Sequence, residues 1–404
     1  MSVNELSKKL HSIDGVRLSA VSAGIKTAGK LDLVLFELCE GASVAGVYTQ
    51  NAFCAAPVVL ARKHSALHSP RYFLINSGNA NAGTGESGMQ AALQSCEALA
   101  KVGACDTEQV LPFSTGVIGK ALPLEKIITA LPQAFSQLNS DSWSDAAQGI
   151  MTTDTVPKAY SETFELAGKQ VTITGIAKGA GMIKPNMATL LAYICTDAEI
   201  AGETLQALCQ NAANLSFNRI TVDGDTSTND SCMLVASSQG ELKYSDITKE
   251  QQQQFATALN KTFEILAQAI IKDAEGASKF VSILVEEGQD SAECLQLAYA
   301  IAESPLVKTA LFASDPNWGR ILAVVGRAGL KNLNISKVSI YLGDVCIVEG
   351  GGKSLSYTEA MGQAVMSEAE IVITVKLGRG SCSDKVWTCD LSYDYVKINA
   401  EYRT

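Results

Sequence analysis

Short β-branched runs and longer stretches of helical periodicity alternate along the 404 residues. Six runs read as strands: 71–76 (RYFLIN), 170–177 (QVTITGIA), 190–196 (LLAYICT), 279–287 (KFVSILVEE), 337–342 (KVSIYL) and 370–377 (EIVITVKL). Apolar residues recur at helical spacing at Met89, Ala92, Leu93, Cys96, Leu99 and Ala100, and again at Leu205, Leu208, Cys209, Ala212 and Leu215. The longest helix is predicted over about 249–273, with Phe255, Leu259, Phe263, Leu266 and Ile270 on one face. Thr248, followed three residues later by Gln251, reads as its capping box. The stretch 385–399 (KVWTCDLSYDYVKIN) reads as a strand-rich, partly buried lead-in that ties the C-terminus down. The stretch 135–151 (FSQLNSDSWSDAAQGIM) is polar enough to be a surface connection. Interspersed strands and helices predict an α/β or α+β protein with mixed sheets, and no repeat or evident linker divides it.

Composition narrows what such a fold can do. With 47% apolar and 18% charged residues, the chain has the material for a folded core and is not disordered. It carries 32 basic and 42 acidic side chains, a formal charge of −10, which disfavours nucleic acid and anionic membranes as partners. No run of 18 apolar residues is present, so no membrane span is expected. The first residues lack the apolar core of a signal peptide, so a cytoplasmic protein is expected. The three histidines are His11, His64 and His68, which disfavours histidine-based catalysis and histidine-ligated metal in the remainder of the chain. Eleven cysteines, none spaced C-x-x-C, read as reduced thiols, several of them packing as small apolar residues; no metal site is expected.

Three segments carry candidate chemistry. Gly83 to Gly88 matches G-x-G-x-x-G between a strand and a helix. A dinucleotide loop turns directly off its strand, whereas NSGNANAG intervenes here, so a loop needing positive φ is the better reading. Gly352-Lys353-Ser354 resembles the end of a phosphate loop, but Ile347 stands where the first glycine belongs, so a turn before a helix start is expected. The segment from Lys178 to Thr189 differs in kind: glycines and a proline lead to an Ala188-Thr189 junction between two strand-like runs. A hydroxyl after a small residue at a tight turn can attack the preceding carbonyl. The resulting ester hydrolyses and frees a threonine whose own α-amine, of pKa about 7.7–8.0, serves as its base. Such a nucleophile needs no histidine.

The segment KGAGMIKPNMATLLAYICTDA (178–198) closely resembles the self-cleaving junction of the ornithine acetyltransferase family, also called the ArgJ or glutamate N-acetyltransferase family. INSGNANAGTG (75–85), STGVIG (114–119), MTTDT (151–155), TVDGDTSTND (221–230), DAEGASKF (273–280), DPNWGRI (315–321) and INAEYRT (398–404) look like family blocks in family order. Ala180 and Leu191 depart from the commoner Ser and Met without touching the chemistry.

The resemblance implies an αββα-type sandwich, cleaved into chains 1–188 and 189–404 that stay together as one functional unit, usually an α2β2 heterotetramer. It implies Thr189 as nucleophile, released by cleavage after Ala188, with Thr115 and Gly116 as the oxyanion hole. Thr152, Lys178, Glu275, Asn399 and Thr404 would bind substrate: Lys178 at its carboxylate or amide region, Glu275 at a positive amino group. The implied reaction moves acetyl from N2-acetyl-L-ornithine to L-glutamate in arginine biosynthesis. It needs no cofactor, although some members also accept acetyl-CoA as donor. Two rival readings remain: a related self-processing aminopeptidase or amidohydrolase, and a non-catalytic nucleotide-binding module built on Gly83 to Gly88.

Overall fold

A computed structural model describes residues 9–27, 29–184 and 190–401, in two compact units. Among these residues, the larger unit takes those between 9 and 218 and between 226 and 270; the smaller takes 219–225 and 271–401. Ala188, Thr189 and Thr404 lie outside the described residues.

The larger unit runs β1 (Val16–Val21), β2 (Leu33–Leu38), β3 (Ser43–Tyr48), α1 (Ala56–Leu67), β4 (Tyr72–Asn79), α2 (Gly85–Gly103), β5 (Val110–Val117), α3 (Leu124–Ser136), α4 (Trp143–Gly149), β6 (Lys158–Leu166), β7 (Lys169–Lys178), β8 (Leu191–Thr196), α5 (Gly202–Leu215), β9 (Ser231–Ala236) and α6 (Lys249–Lys272). One sheet has the order β1-β2-β4-β5 and the other β3-β9-β8-β7-β6. The strands between them are apolar on both faces, which is why β4 and β8 read as continuous apolar runs rather than alternating ones. Leu33, Leu35 and Leu74 turn to α2 and α3, while Val34, Phe36, Phe73 and Phe113 turn inward to Tyr193, Met233 and Val235 of the second sheet. Helix α6 covers the outer face of that sheet: Phe164 and Phe255 meet at 6.4 Å, and Gly175 leaves the room that Leu266 fills. The four layers are helix, sheet, sheet and helix, the αββα sandwich that the family resemblance implied. Thr248 and Gln251 cap α6 reciprocally, side chain to backbone, as their spacing predicts.

The aromatic centre between the sheets corrects one expectation. The polar segment 135–151 is a surface connection only over 137–142, between α3 and α4. The rest folds mainly into α4, with Trp143, Ala146, Ala147 and Ile150 buried on one face and Trp143 edge-on to Phe36 at 5.8 Å. Spacing of three and four residues carried this signal, and serines and aspartates on the outer face masked it.

The smaller unit runs β10 (Phe280–Gly288), α7 (Ser291–Ala302), α8 (Pro305–Phe312), α9 (Trp318–Arg327), β11 (Ser339–Leu342), β12 (Val345–Glu349), β13 (Gly352–Lys353), α10 (Glu359–Met366), β14 (Glu370–Lys376), β15 (Cys382–Cys389) and α11 (Tyr393–Ala400). Its six-stranded sheet has the order β13-β12-β11-β14-β10-β15. Gly352 and Lys353 form a short strand after a turn at Gly350 and Gly351, and the next helix begins only at Glu359. The C-terminal lead-in is strand only to Cys389; 393–400 is a helix. Ser392 starts it by accepting from the Tyr395 N–H, a capping geometry that overrides the apparent alternation. No described helix is long and apolar enough to cross a membrane.

Candidate active site

Strand β5 lies at the edge of its sheet, which is what allows Pro112 within it. Its far end carries Ser114, Thr115 and Gly116 beside Asn76 to Gly78 of β4. Gly116 adopts φ +131°, and a Cβ there would lie 2.4 Å from the Gly78 carbonyl carbon. Only glycine permits this backbone approach. Asparagines hold the two strand ends in place. Ser114 Oγ donates to Asn76 Oδ1 at 2.6 Å, and Asn76 Nδ2 donates to the Asn79 carbonyl at 2.8 Å. Asn229 Nδ2 donates to the carbonyls of Ala80 and Ser114 at 2.6 and 2.9 Å. The Gly/Asn-rich block after β4 is therefore a scaffold for Thr115 and Gly116. Its Gly83 and Gly85 adopt the positive φ expected of a loop, at +69° and +59°.

Lys178 ends β7 and reaches Thr115: its Nζ donates to Thr115 Oγ1 at 3.2 Å. A hydroxyl has one proton and two lone pairs. With one lone pair taken by Lys178, the Thr115 proton is turned away from the ammonium and left to donate elsewhere.

Asp154 joins the remaining pieces. Its Oδ1 accepts from Lys158 Nζ at 2.6 Å and from the Gly179 N–H at 2.7 Å; its Oδ2 accepts from the Thr152 N–H at 3.0 Å. The Asp154 and Lys158 side chains are fully enclosed. Burial alone would raise the Asp154 carboxyl, but Lys158 and Lys178 outweigh it and hold the group well below its usual range. One carboxylate thus fixes both Thr152 and the first residue after Lys178. Facing two lysines, it leaves this corner net positive, suited to an anionic substrate group.

A second constellation sits in the smaller unit. Glu275 is buried and its Oε2 accepts from Asn399 Nδ2 at 2.8 Å. Asn399 itself is exposed on α11, whose side chains are not buried in the unit. Tyr395 on the same helix donates to Asp223 Oδ2 at 3.1 Å, and Gly276 packs so closely under Ser392 and Tyr395 that a Cβ would lie 2.6 Å from either.

Of the residues expected from sequence, the structure brings Thr115, Gly116, Lys178 and Thr152 into one cluster and Glu275 and Asn399 into another. Ala188, Thr189 and Thr404 lie outside the described residues. Asp154, Lys158 and Asn229 were not singled out from sequence; the i, i+4 acid–base pair at 154 and 158 was the one available signal. No group of three potential metal ligands occurs among the described residues.

The model of the ArgJ family matches residues 17–404. The chain is 56% identical over 398 residues to the arginine biosynthesis bifunctional protein ArgJ of Pseudomonas syringae pv. tomato, covering 98% of each chain. It is 54% identical over 398 residues to the Pseudomonas fluorescens protein of the same name, again covering 98% of each. Among solved structures, the arginine biosynthesis bifunctional protein ArgJ of Bacillus halodurans aligns with a TM-score of 0.47 and 37% identity, over 51% of this chain and 96% of that one.

Proposed function

The chain belongs to the ArgJ family, and from that membership we propose how its residues move an acetyl group from N2-acetyl-L-ornithine to L-glutamate in arginine biosynthesis. The chain first cuts itself. Thr189 Oγ attacks the Ala188 carbonyl carbon, the peptide becomes an ester, and water hydrolyses it to an Ala188 carboxylate and a free Thr189 α-amine. In turnover this amine takes the Oγ proton as Oγ adds to the acetyl carbonyl. Donors at Thr115 and Gly116 meet the oxyanion, an interaction worth about 2.7–4 kcal/mol per donor in comparable sites. The C–N bond breaks, ornithine leaves with the proton on its amine, and acetyl-Thr189 remains. The deprotonated amine of glutamate then attacks this ester, forming N-acetyl-L-glutamate and restoring the hydroxyl. Lys178 answers the substrate's carboxylate or amide region, Glu275 the side-chain ammonium of ornithine, and Thr152, Asn399 and Thr404 are further substrate-binding residues. Acetyl-CoA serves as an alternative donor on the same threonine, and no cofactor takes part.

The observation that carries this reading is the Lys178–Thr115–Asp154 cluster at the point where β7 gives way to the junction. Lys178 pairs in register with Leu191 of β8. Thr189 precedes Leu191 by two residues in the sequence. The sheet also supports the continued association of the cut chains: β8 and β9, from after residue 189, lie between β3 and β7, from before it. Two such pairs form the α2β2 assembly, in the cytoplasm.

The test is a denaturing gel with intact mass on wild type and Thr189→Ala. Wild type should give two chains meeting at 188/189, and the alanine variant one uncut, inactive chain. Activity in an uncut chain removes Thr189 from the chemistry. Acetylornithine consumed equally fast without glutamate selects the hydrolase reading instead.

A further inference from the structure

We propose that Lys26 is a positioning residue for the acetyl-transfer site, its ammonium clamping the turn that presents Thr152 to substrate. This rests on the reaction proposed above. Lys26 belongs to no motif block, yet the chain goes to some length to place it. The buried Asp32 carboxylate accepts from the N–H groups of Ala23, Ile25 and Lys26, at 2.6, 2.6 and 2.9 Å, and folds that loop over the strand ends. The Lys26 stem then lies against Gly78, where a Cβ would come within 2.8 Å of its Cγ. Gly78 is the residue paired with Gly116. The Nζ donates to the carbonyls of Met151 at 2.6 Å, Leu31 at 3.2 Å and Gly149 at 3.5 Å. An ammonium has three protons, so these three carbonyls use them all. Of the three acceptors, Met151 immediately precedes Thr152 and Gly149 lies three residues before it, and the Thr152 N–H is fixed from the other side by Asp154. A cavity of about 470 Å³ opens here, lined by Lys26, Lys30, Gln148, Thr152, Asp154 and Thr155 among others.

No ion pair neutralises Lys26 among the described residues. Burial pulls its pKa from the ordinary 10.5 down to about 8; Asp32 and Asp154 oppose the shift, while Lys178 and Lys30 add to it. The sign matters. A lysine whose folded pKa is lowered makes no stabilising charge contribution at neutral pH, and stability rises as pH climbs from about 8 to 10.5 and the half-buried charge is relieved. The charge is thus kept at the expense of stability, which points to a role in the site. As the ammonium titrates, one carbonyl loses its donor and the clamp on the Thr152 turn loosens.

The experiment is steady-state transfer from acetylornithine to glutamate between pH 7 and 9.5, with wild type, Lys26→Arg and Lys26→Met. Arginine stays charged throughout this range. Lys26→Met should raise KM for acetylornithine about tenfold at pH 7 with kcat changed less than about threefold, the signature of lost substrate positioning. Wild-type KM should climb above pH 8, whereas Lys26→Arg should hold it flat. Deprotonation of glutamate and of the Thr189 amine affects both enzymes alike and cancels in that comparison. A Lys26→Met enzyme with KM within twofold of wild type overturns the proposal. So do identical KM profiles for wild type and Lys26→Arg, which decide the matter alone should the methionine variant not fold. A wild type that transfers no acetyl sinks the proposed reaction itself, an outcome distinct from a working wild type with indifferent variants.

Discussion

The two constellations are held by different means. Around Thr115, Lys178 and Asp154, every group sits on or beside a strand end, is buried, and has a hydrogen-bond partner. Around Glu275 and Asn399, a buried carboxylate meets an exposed amide on a C-terminal helix tied by one cap, one tyrosine hydroxyl and a close glycine contact. The first arrangement suits bond-making, which loses rate with small displacements. The second suits recognition, where a helix can shift without disturbing the reacting atoms. Disturbing the first should therefore affect folding and kcat, and disturbing the second KM.

The largest effect is expected at Asp154. Asp154→Ala removes the carboxylate paired with the fully enclosed Lys158 ammonium and should cost about 3–5 kcal/mol in urea unfolding, together with self-cleavage and transfer. Asp154→Ala with Lys158→Met should recover most of the stability and none of the activity, because Thr152 and Gly179 still lack their common acceptor. Full stability in the single variant would show that the pair is not enclosed. The pH dependence follows from the depressed pKa. Stability from Asp154 is present above the ordinary carboxylate value of 3.8 and is lost only as pH falls through its lower folded value. The cluster should thus remain intact at pH 5, as read by thermal unfolding of wild type against the double variant.

Next comes Gly116→Ala. Its Cβ has no room beside Gly78, and φ +131° is unsuited to alanine, so the Thr115–Gly116 segment must move. A displaced oxyanion donor costs about 10²–10³ in kcat in comparable sites. The variant should lose at least a hundredfold in kcat with KM for acetylornithine little changed. A larger KM than kcat effect would assign Gly116 to binding instead.

How far this contrast was legible in the sequence differs between the regions. The six strand-like runs and the long capped helix all stand where periodicity put them, because each buries a regular apolar face. Thr115, Gly116, Lys178 and Thr152 came from short blocks whose residues are consecutive, and the strands β5 and β7 keep those neighbours together. Asp154 and Lys26 were not legible. Their significance lies in contacts spanning 25 and 125 residues, to Gly179 and Met151, which no local pattern encodes. The 393–400 helix reads as strand in the sequence because none of its apolar residues is fully buried: Tyr393 and Val396 are exposed and Tyr395 and Ile398 half-buried, so burial imposes no clear helical period on them.

On the recognition side, Glu275→Gln removes the charge proposed to meet the substrate ammonium and keeps the shape and the acceptor for Asn399. Loss of one charge-assisted hydrogen bond is worth about 1.5–3 kcal/mol. KM for acetylornithine should rise at least tenfold, with kcat within about threefold and self-cleavage complete on a gel. A matching fall in kcat would place Glu275 with the reacting atoms and erase the distinction between the two constellations.

Asn399→Ala should have the smallest effect. Asn399 is exposed, and among the described residues its amide donates to Glu275 Oε2 and to the Tyr395 carbonyl at 3.0 Å within its own helix. Only the first bears on the site, and a single such bond contributes about 0.5–1.5 kcal/mol, or two- to tenfold in KM. Removing it leaves Glu275 charged but free to rotate, so the cost is one of orientation. That makes the variant informative in combination. If Asn399 acts by aiming Glu275, the double variant Glu275→Gln/Asn399→Ala should be scarcely worse than Glu275→Gln, because there is no charge left to aim. If Asn399 binds substrate through its own amide, the two KM increases should multiply. A multiplicative result would mean that α11 contributes its own contact to substrate and does not merely support the carboxylate.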